Sequence, residues 1–221
     1  KKQDENGSNT NGLSNYDNLY ADTKLWINNG WLDYIVPQLY WEIGHPAADY
    51  NTLFHWWKEN KAPDVLMYIG QDVSRSQNQI AKKLNPTRVT DNISGNCFWN
   101  GDMLLANKNE YKDSLQTAYF QHHAIAPNFP KLSSTAPKRI ENVRLELMGE
   151  QPKLCWDMDK DTNKLNKTWY YIVYAENYKG EHLDPYDPTK IVYVGTNNEY
   201  IIPENENPLH TKYIVTAVNR M

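Results

Sequence analysis

The sequence predicts two fold types in one chain: an α/β segment built on parallel strands, then an all-β sandwich. Three observations carry this. Nearly continuous apolar runs begin near residues 33, 65 and 93, roughly 30 residues apart, the length of one strand-plus-helix unit. Six short strand patterns follow between Ile140 and Val218, with no helical pattern among them. Between the two parts, Asn128-Phe129-Pro130, Ser133-Ser134-Thr135 and Ala136-Pro137 break any regular period. The expected domains are therefore 1–132 and 137–221.

The elements follow in order. Lys1 to Asn15 is polar and rich in Asn, Gly and Ser, a loop without the apolar core of a signal peptide. Tyr16, Leu19, Tyr20, Trp26 and Ile27 then share one face of a helical period. Ser14, with Asp17 three residues on, can start that helix, and Gly30 can end it. Leu32 to Trp41 is nearly all apolar, as a strand buried on both faces would be. Asp49 can cap a second helix with Tyr50, Leu53, Phe54 and Trp57 on its stripe. Val65 to Gly70 is the second buried strand, and Ile80, Ala81 and Leu84 mark a short helix ending before Pro86. Ile93 to Trp99 is the third strand, and Tyr111, Leu115, Ala118, Tyr119 and His122 mark a closing helix.

The later strands are Ile140–Leu147, Lys153–Asp157, Trp169–Ala175, Ile191–Val194, Tyr200–Ile202 and Lys212–Val218. Their number and spacing fit an immunoglobulin-like sandwich, with Trp156 in its core and Tyr213 where a tyrosine corner belongs.

The first part is too short for a closed (β/α)₈ barrel, which needs ~250 residues. Standing alone, three parallel strands would leave two open edges and poorly covered apolar faces. Either the segment closes a larger barrel, or it is a small open α/β domain completed by dimerisation. The opening in mid-loop, with no strand before the first helix, favours the barrel. An open flank of apolar strand surface is also expected to drive self-association.

Composition narrows function. Of 221 residues, 40% are hydrophobic and 23% charged, the net charge is −4, and mean hydropathy is −0.80. No run approaches the ~18 apolar residues of a membrane span. An acidic chain without a basic run is a poor partner for nucleic acid. Two cysteines, Cys97 and Cys155, supply neither a disulfide framework nor a four-cysteine zinc site. The chain holds 8 Trp and 16 Tyr but only 4 Phe, an excess of rings that are both apolar and hydrogen-bonding. Sugar clefts use such rings, and so do ordinary cores.

Gly12-Leu13-Ser14-Asn15-Tyr16-Asp17-Asn18-Leu19-Tyr20-Ala21-Asp22, Trp26, and above all Gly30-Trp31-Leu32-Asp33-Tyr34-Ile35-Val36-Pro37-Gln38-Leu39-Tyr40-Trp41 resemble a bacterial glycosyl-hydrolase-like family. Its members are TIM-barrel glycosidases distantly related to family-ten glycoside hydrolases. The likeness continues through Leu53–Trp57, Tyr68-Ile69-Gly70-Gln71, Ser94-Gly95 and Phe98. It implies that the three strands are barrel strands six to eight, that strands one to five lie upstream, and that the partners are a glycan and the missing barrel half. It also implies a polysaccharide or peptidoglycan substrate and a secreted, periplasmic or cell-surface location. The tail resembles a fibronectin type III module.

In a TIM barrel the site lies at the C-terminal strand ends. That singles out Gln38, Tyr40, Trp41 and Glu42, then Gln71 and Asp72, then Trp99, Asn100 and Asp102. Gln38, Tyr40, Trp41, Gln71 and Trp99 are the expected glycan contacts. Of Tyr40 and Trp41, adjacent in a strand, at most one faces the barrel interior. Glu42 is the weak candidate for a catalytic acid, although Glu42 and Asp72 read better as solvated loop acids. Hydrolysis normally needs a pair of carboxylates, and the resemblance implies that they lie on the missing strands. A non-catalytic carbohydrate- or protein-binding module is the rival reading. No cofactor or metal is expected. Asp157-Met158-Asp159-Lys160-Asp161 lacks the Gly and Glu of an EF-hand, and His122-His123 point apart on a helix.

Overall fold

The computed structural model describes residues 7–60, 63–75, 77–127, 129, 135–147, 151–163, 166–177 and 183–219. The linker residues Asn128, Pro130, Ser133 and Ser134, and Asn6 with the residues before it, lie outside them. Two compact units divide in chain order at Tyr119 and Phe120, with Phe129 returning to the first.

The first unit opens with two short helices, α1 (Asn15–Leu19) and α2 (Thr23–Asn28), where the periodicity predicted one. Ser14 caps α1 by accepting from the Asp17 N–H at 3.1 Å. Tyr20 then turns left-handed at φ 53°, which ends the helix, and Asp22 restarts it by accepting from the Leu25 N–H. The stop came from a local turn that apolar spacing does not register. Gly30 takes φ 63° after α2, a conformation glycine adopts at little cost.

Strands β1 (Tyr34–Ile35), β2 (Leu66–Asp72) and β3 (Gly95–Trp99) form one parallel sheet in that order. The predicted Leu32–Trp41 strand is thus much shorter. Pro37 has no N–H to continue a ladder. The missing donor breaks the ladder after Ile35. Pairing resumes only as a bridge between Gln38 and Gly70, with the Pro37 carbonyl accepting from Gly70 at 2.8 Å and the Leu39 N–H donating to the Gly70 carbonyl at 3.1 Å. A side chain at Gly70 would meet the Pro37 oxygen at 2.8 Å, so glycine is what lets the two segments approach.

Helix α3 (Tyr50–Glu59) packs on one sheet face, capped by Asp49. Burial raises the Asp49 pKa, but hydrogen bonds from Gly44 and Thr52 outweigh this and lower it. The core on this side joins Ile27, Leu39, Tyr50, Phe54, Trp57, Val65, Met67, Ile69 and Ile93. Helix α4 (Ile80–Arg88) runs through Pro86 rather than stopping before it. The ring falls in the last turn, and the carbonyl it leaves without a donor belongs to exposed Lys82. Two helices follow the third strand, α5 (Gly101–Leu105) and α6 (Tyr111–Ala118).

In the second unit, β4 (Arg144–Glu146), β5 (Lys153–Cys155) and β8 (Glu199–Ile201) form one antiparallel sheet. Strands β7 (Ile191–Gly195), β6 (Tyr170–Asn177) and β9 (Thr211–Val218) form another. One core takes residues from both: Leu154, Trp156, Tyr171, Val173, Tyr200 and Ile202, with Leu145, Tyr193, Tyr213 and Val215 around them. Trp156 is wholly buried. A tyrosine corner bonds to upstream backbone, whereas the Tyr213 hydroxyl donates to the Glu206 carboxylate at 2.8 Å.

Candidate functional site

The parallel register of the first sheet sorts its side chains onto two faces. Ile35, Met67, Ile69, Gln71 and Asn96 turn toward the helices. Tyr34, Tyr68, Gly70, Gly95, Cys97 and Trp99 share the other face, and the bridge to Gly70 adds Gln38. No helix core covers that second face. Trp99 is 60% exposed and Tyr34 is 53% exposed, while Gln38 and Cys97 are also exposed. The Tyr34 and Tyr68 rings meet edge-on at 6.1 Å. The Tyr40 ring lies 3.3 Å from where a Gly70 side chain would be, so it leans over the same face. Its phenol pKa is raised by burial first, then by Cys97 and Asp72.

Gln38, Tyr40 and Trp99 therefore lie on one face of the sheet. The Gln38 amide has no hydrogen-bond partner among the described residues. Tyr34 and Tyr68 join them and were missed. The signal was available, because Tyr34 shares the odd-even parity of Gln38 along its segment.

Gln71 is placed elsewhere. It is fully buried on the helix side, donating to the Tyr50 hydroxyl at 3.0 Å and to Asn96 Oδ1 at 2.9 Å. Asn96 passes a donor to Thr87 at 2.8 Å, and the Tyr50 hydroxyl donates to the Lys83 carbonyl at 3.2 Å. Burial pushes the Tyr50 phenol up to about 12, with the Gln71 hydrogen bond opposing. A buried amide so engaged stiffens the sheet from behind and meets no ligand on the open face.

Trp41 turns away from Tyr40 into a cleft of about 620 Å³ lined also by Glu42, His45, Ser74, Arg75, Asn78 and Gln79. Its ring lies 6.4 Å from that of His45. Glu42 is exposed there, in keeping with a solvated acid. Asp72 is not one: at 7% exposure it is the one buried carboxylate residue among the described residues. Its Oδ1 accepts from the Ser74 N–H, the Ser74 hydroxyl and the Arg75 N–H, and the Arg75 Nε lies 3.6 Å from its Oδ2. Those donors organise the turn after β2, which explains why an acid there can be buried. Asn100 caps α5 by accepting from the Met103 N–H at 3.1 Å, and Asp102 is exposed in that helix's first turn. The Trp99–Asn100 peptide bond is cis. Among the described residues, no three His, Cys, Asp or Glu side chains gather as metal ligands, and no helix is long and apolar enough to cross a membrane.

The family model described as Glycosyl hydrolase-like 10 matches residues 5–116, half of the chain. The chain belongs to that family. Among relatives, it is 35% identical over 184 residues to Glycosyl hydrolase YngK of Bacillus subtilis (strain 168), covering 77% of this chain and 36% of YngK. That share exceeds what the first unit alone could supply, so the likeness runs into the second. Glycosyl hydrolase DigH of Escherichia coli (strain K12) and that of Shigella flexneri are each 44% identical over 71 residues, or 32% of this chain and 16% of theirs. The chain thus spans little more than a third of the longer-matched relative.

Proposed function

We propose that this chain is the C-terminal part of a glycoside hydrolase, comprising the last three strand-helix units of a (β/α)₈ barrel and a fibronectin type III-like module. The parent hydrolyses glycosidic bonds in a polysaccharide or in peptidoglycan glycan, and acts in the periplasm, at the cell surface or outside the cell. The observation that carries this is a parallel sheet covered by helices on one face only. The other face offers Tyr34, Gln38, Tyr40 and Trp99, rings and an amide suited to a pyranose. Membership in the family and the 36% coverage of YngK support the same reading. Gln38, Tyr40, Trp41 and Trp99 contact the glycan, and the catalytic carboxylates belong to the missing strands.

Assaying this chain beside a longer protein carrying the upstream strands tests the reading, with peptidoglycan, xylan and chitin as substrates. Turnover by the longer protein alone is the expected result, and robust turnover by the chain alone would refute it. A second reading, a non-catalytic glycan-binding module, is favoured by the exposure of Trp99 and Tyr34. It requires tight oligosaccharide binding by the chain, abolished by Trp99→Ala, together with no turnover by the longer protein. The sheet edges at β1 and β3 also give the isolated chain a route to self-association, and light scattering showing a clean monomer at high concentration would exclude it.

A further inference from the structure

The segment that carries Trp41 and Glu42 has no strand partner beyond the Gln38 bridge, yet it is held at three points from one helix and the turn before it. Gln79 accepts from the Ile43 N–H at 2.7 Å and donates back to the Ile43 carbonyl at 3.3 Å. One turn further on, Lys83 Nζ donates to the Trp41 carbonyl at 2.6 Å. Lys83 is wholly buried, with its ammonium 4.7 Å above the Tyr50 ring. Burying an ammonium is costly, and an apolar side chain of similar length would fill the space without that cost. A backbone carbonyl and a ring face are what the charge gains here.

We propose that Lys83 is a positioning residue for the candidate site. Its buried ammonium holds the Trp41 carbonyl, and so fixes the indole and Glu42 at the mouth of the cleft. This deepens the glycan reading and rests on it. Among the described residues, the charged and titratable groups that act on the ammonium include Glu42 after β1, Asp72 on β2 and the Tyr50 phenol on α3. Burial lowers the Lys83 pKa to about 8 against the opposing pull of Glu42 and Asp72. The hold therefore weakens as pH rises through that value, because a neutral amine donates a weaker hydrogen bond.

Two measurements on the full chain test this, each with Lys83→Met and, as a second route to the same release, Gln79→Leu. Amide exchange read by mass spectrometry over residues 41–45 at pH 7 should be about tenfold faster in both variants, as loss of charge-assisted or paired hydrogen bonds implies. Exchange in α3 and β2 should not change. Chitohexaose, xylohexaose and solubilised peptidoglycan glycan are then titrated from pH 6 to pH 10. Wild-type affinity should fall about tenfold across pH 8, whereas Lys83→Met should bind weakly at pH 7 with that fall missing. A merely structural lysine would lower affinity equally at every pH. Exchange and binding in Lys83→Met equal to wild type, with the same pH profile, would overturn the positioning role alone. Wild-type protein that binds none of these glycans at any pH, with the exchange result intact, would overturn the glycan reading and the positioning claim with it.

Discussion

The parallel sheet of the first unit and the paired sheets of the second solve the same problem differently. In the second unit, each sheet turns its apolar face onto the other, and Trp156 fills the shared interior at no exposure. In the first, helices cover Met67 and Ile69, while Tyr34 and Trp99 on the opposite face remain open. Large aromatic rings left in water on one side of a strand, with wholly buried aliphatics on the other, mark a surface whose sequence is not set by packing. The two regions should therefore respond differently to substitution.

The largest effect belongs to the fully enclosed interior. Trp156→Ala should cost about 3–5 kcal/mol, read as a lowered urea midpoint for the second unit; a loss under 1 kcal/mol would mean that the two sheets do not share that core. Next comes Lys83. Its folded form gives up its proton near pH 8, against 10.5 for an ordinary lysine. Between those values the unfolded chain binds more protons, so stability rises with pH. Relative to Lys83→Met, the wild type should gain up to about 3 kcal/mol over that window. Denaturation at pH 7, 8.5 and 10 checks this, and a difference that stays flat would show that the ammonium is not desolvated. Gly70→Ala should cost about 1–3 kcal/mol, because the new methyl meets the Pro37 oxygen at 2.8 Å. An unchanged melting temperature would sharpen the comparison by showing that the bridge is free to open. The smallest effect on stability, within about 0.5 kcal/mol, is expected for Trp99→Ala on the open face.

Much of this arrangement was legible in the residues. Asp49 as a cap and the βα spacing gave α3 and the parallel sheet, and the six later strands fall within a few residues of their turn-bounded patterns. What the sequence hid depends on local or long-range partners. The left-handed turn at Tyr20 split one helix into two, and Pro37, with no N–H to give β2, cut short the first strand. Trp41 and Glu42 were placed near the site by position alone, but the clamp on their segment comes from Gln79 and Lys83, about 40 residues away. Gln71 shows the limit of strand-end reasoning: one position decides which face a side chain takes, and its partners Tyr50 and Asn96 become evident only once the sheet is assembled.

Titration of hexasaccharides into wild-type chain, Trp99→Ala and Gln38→Ala, beside unfolding curves for all three, bears most directly on the open face as the glycan surface. Affinity lost by at least tenfold in both variants, with unfolding midpoints unchanged, is the expected result. Variants that bind as tightly as wild type would mean that this face is not where the sugar lies.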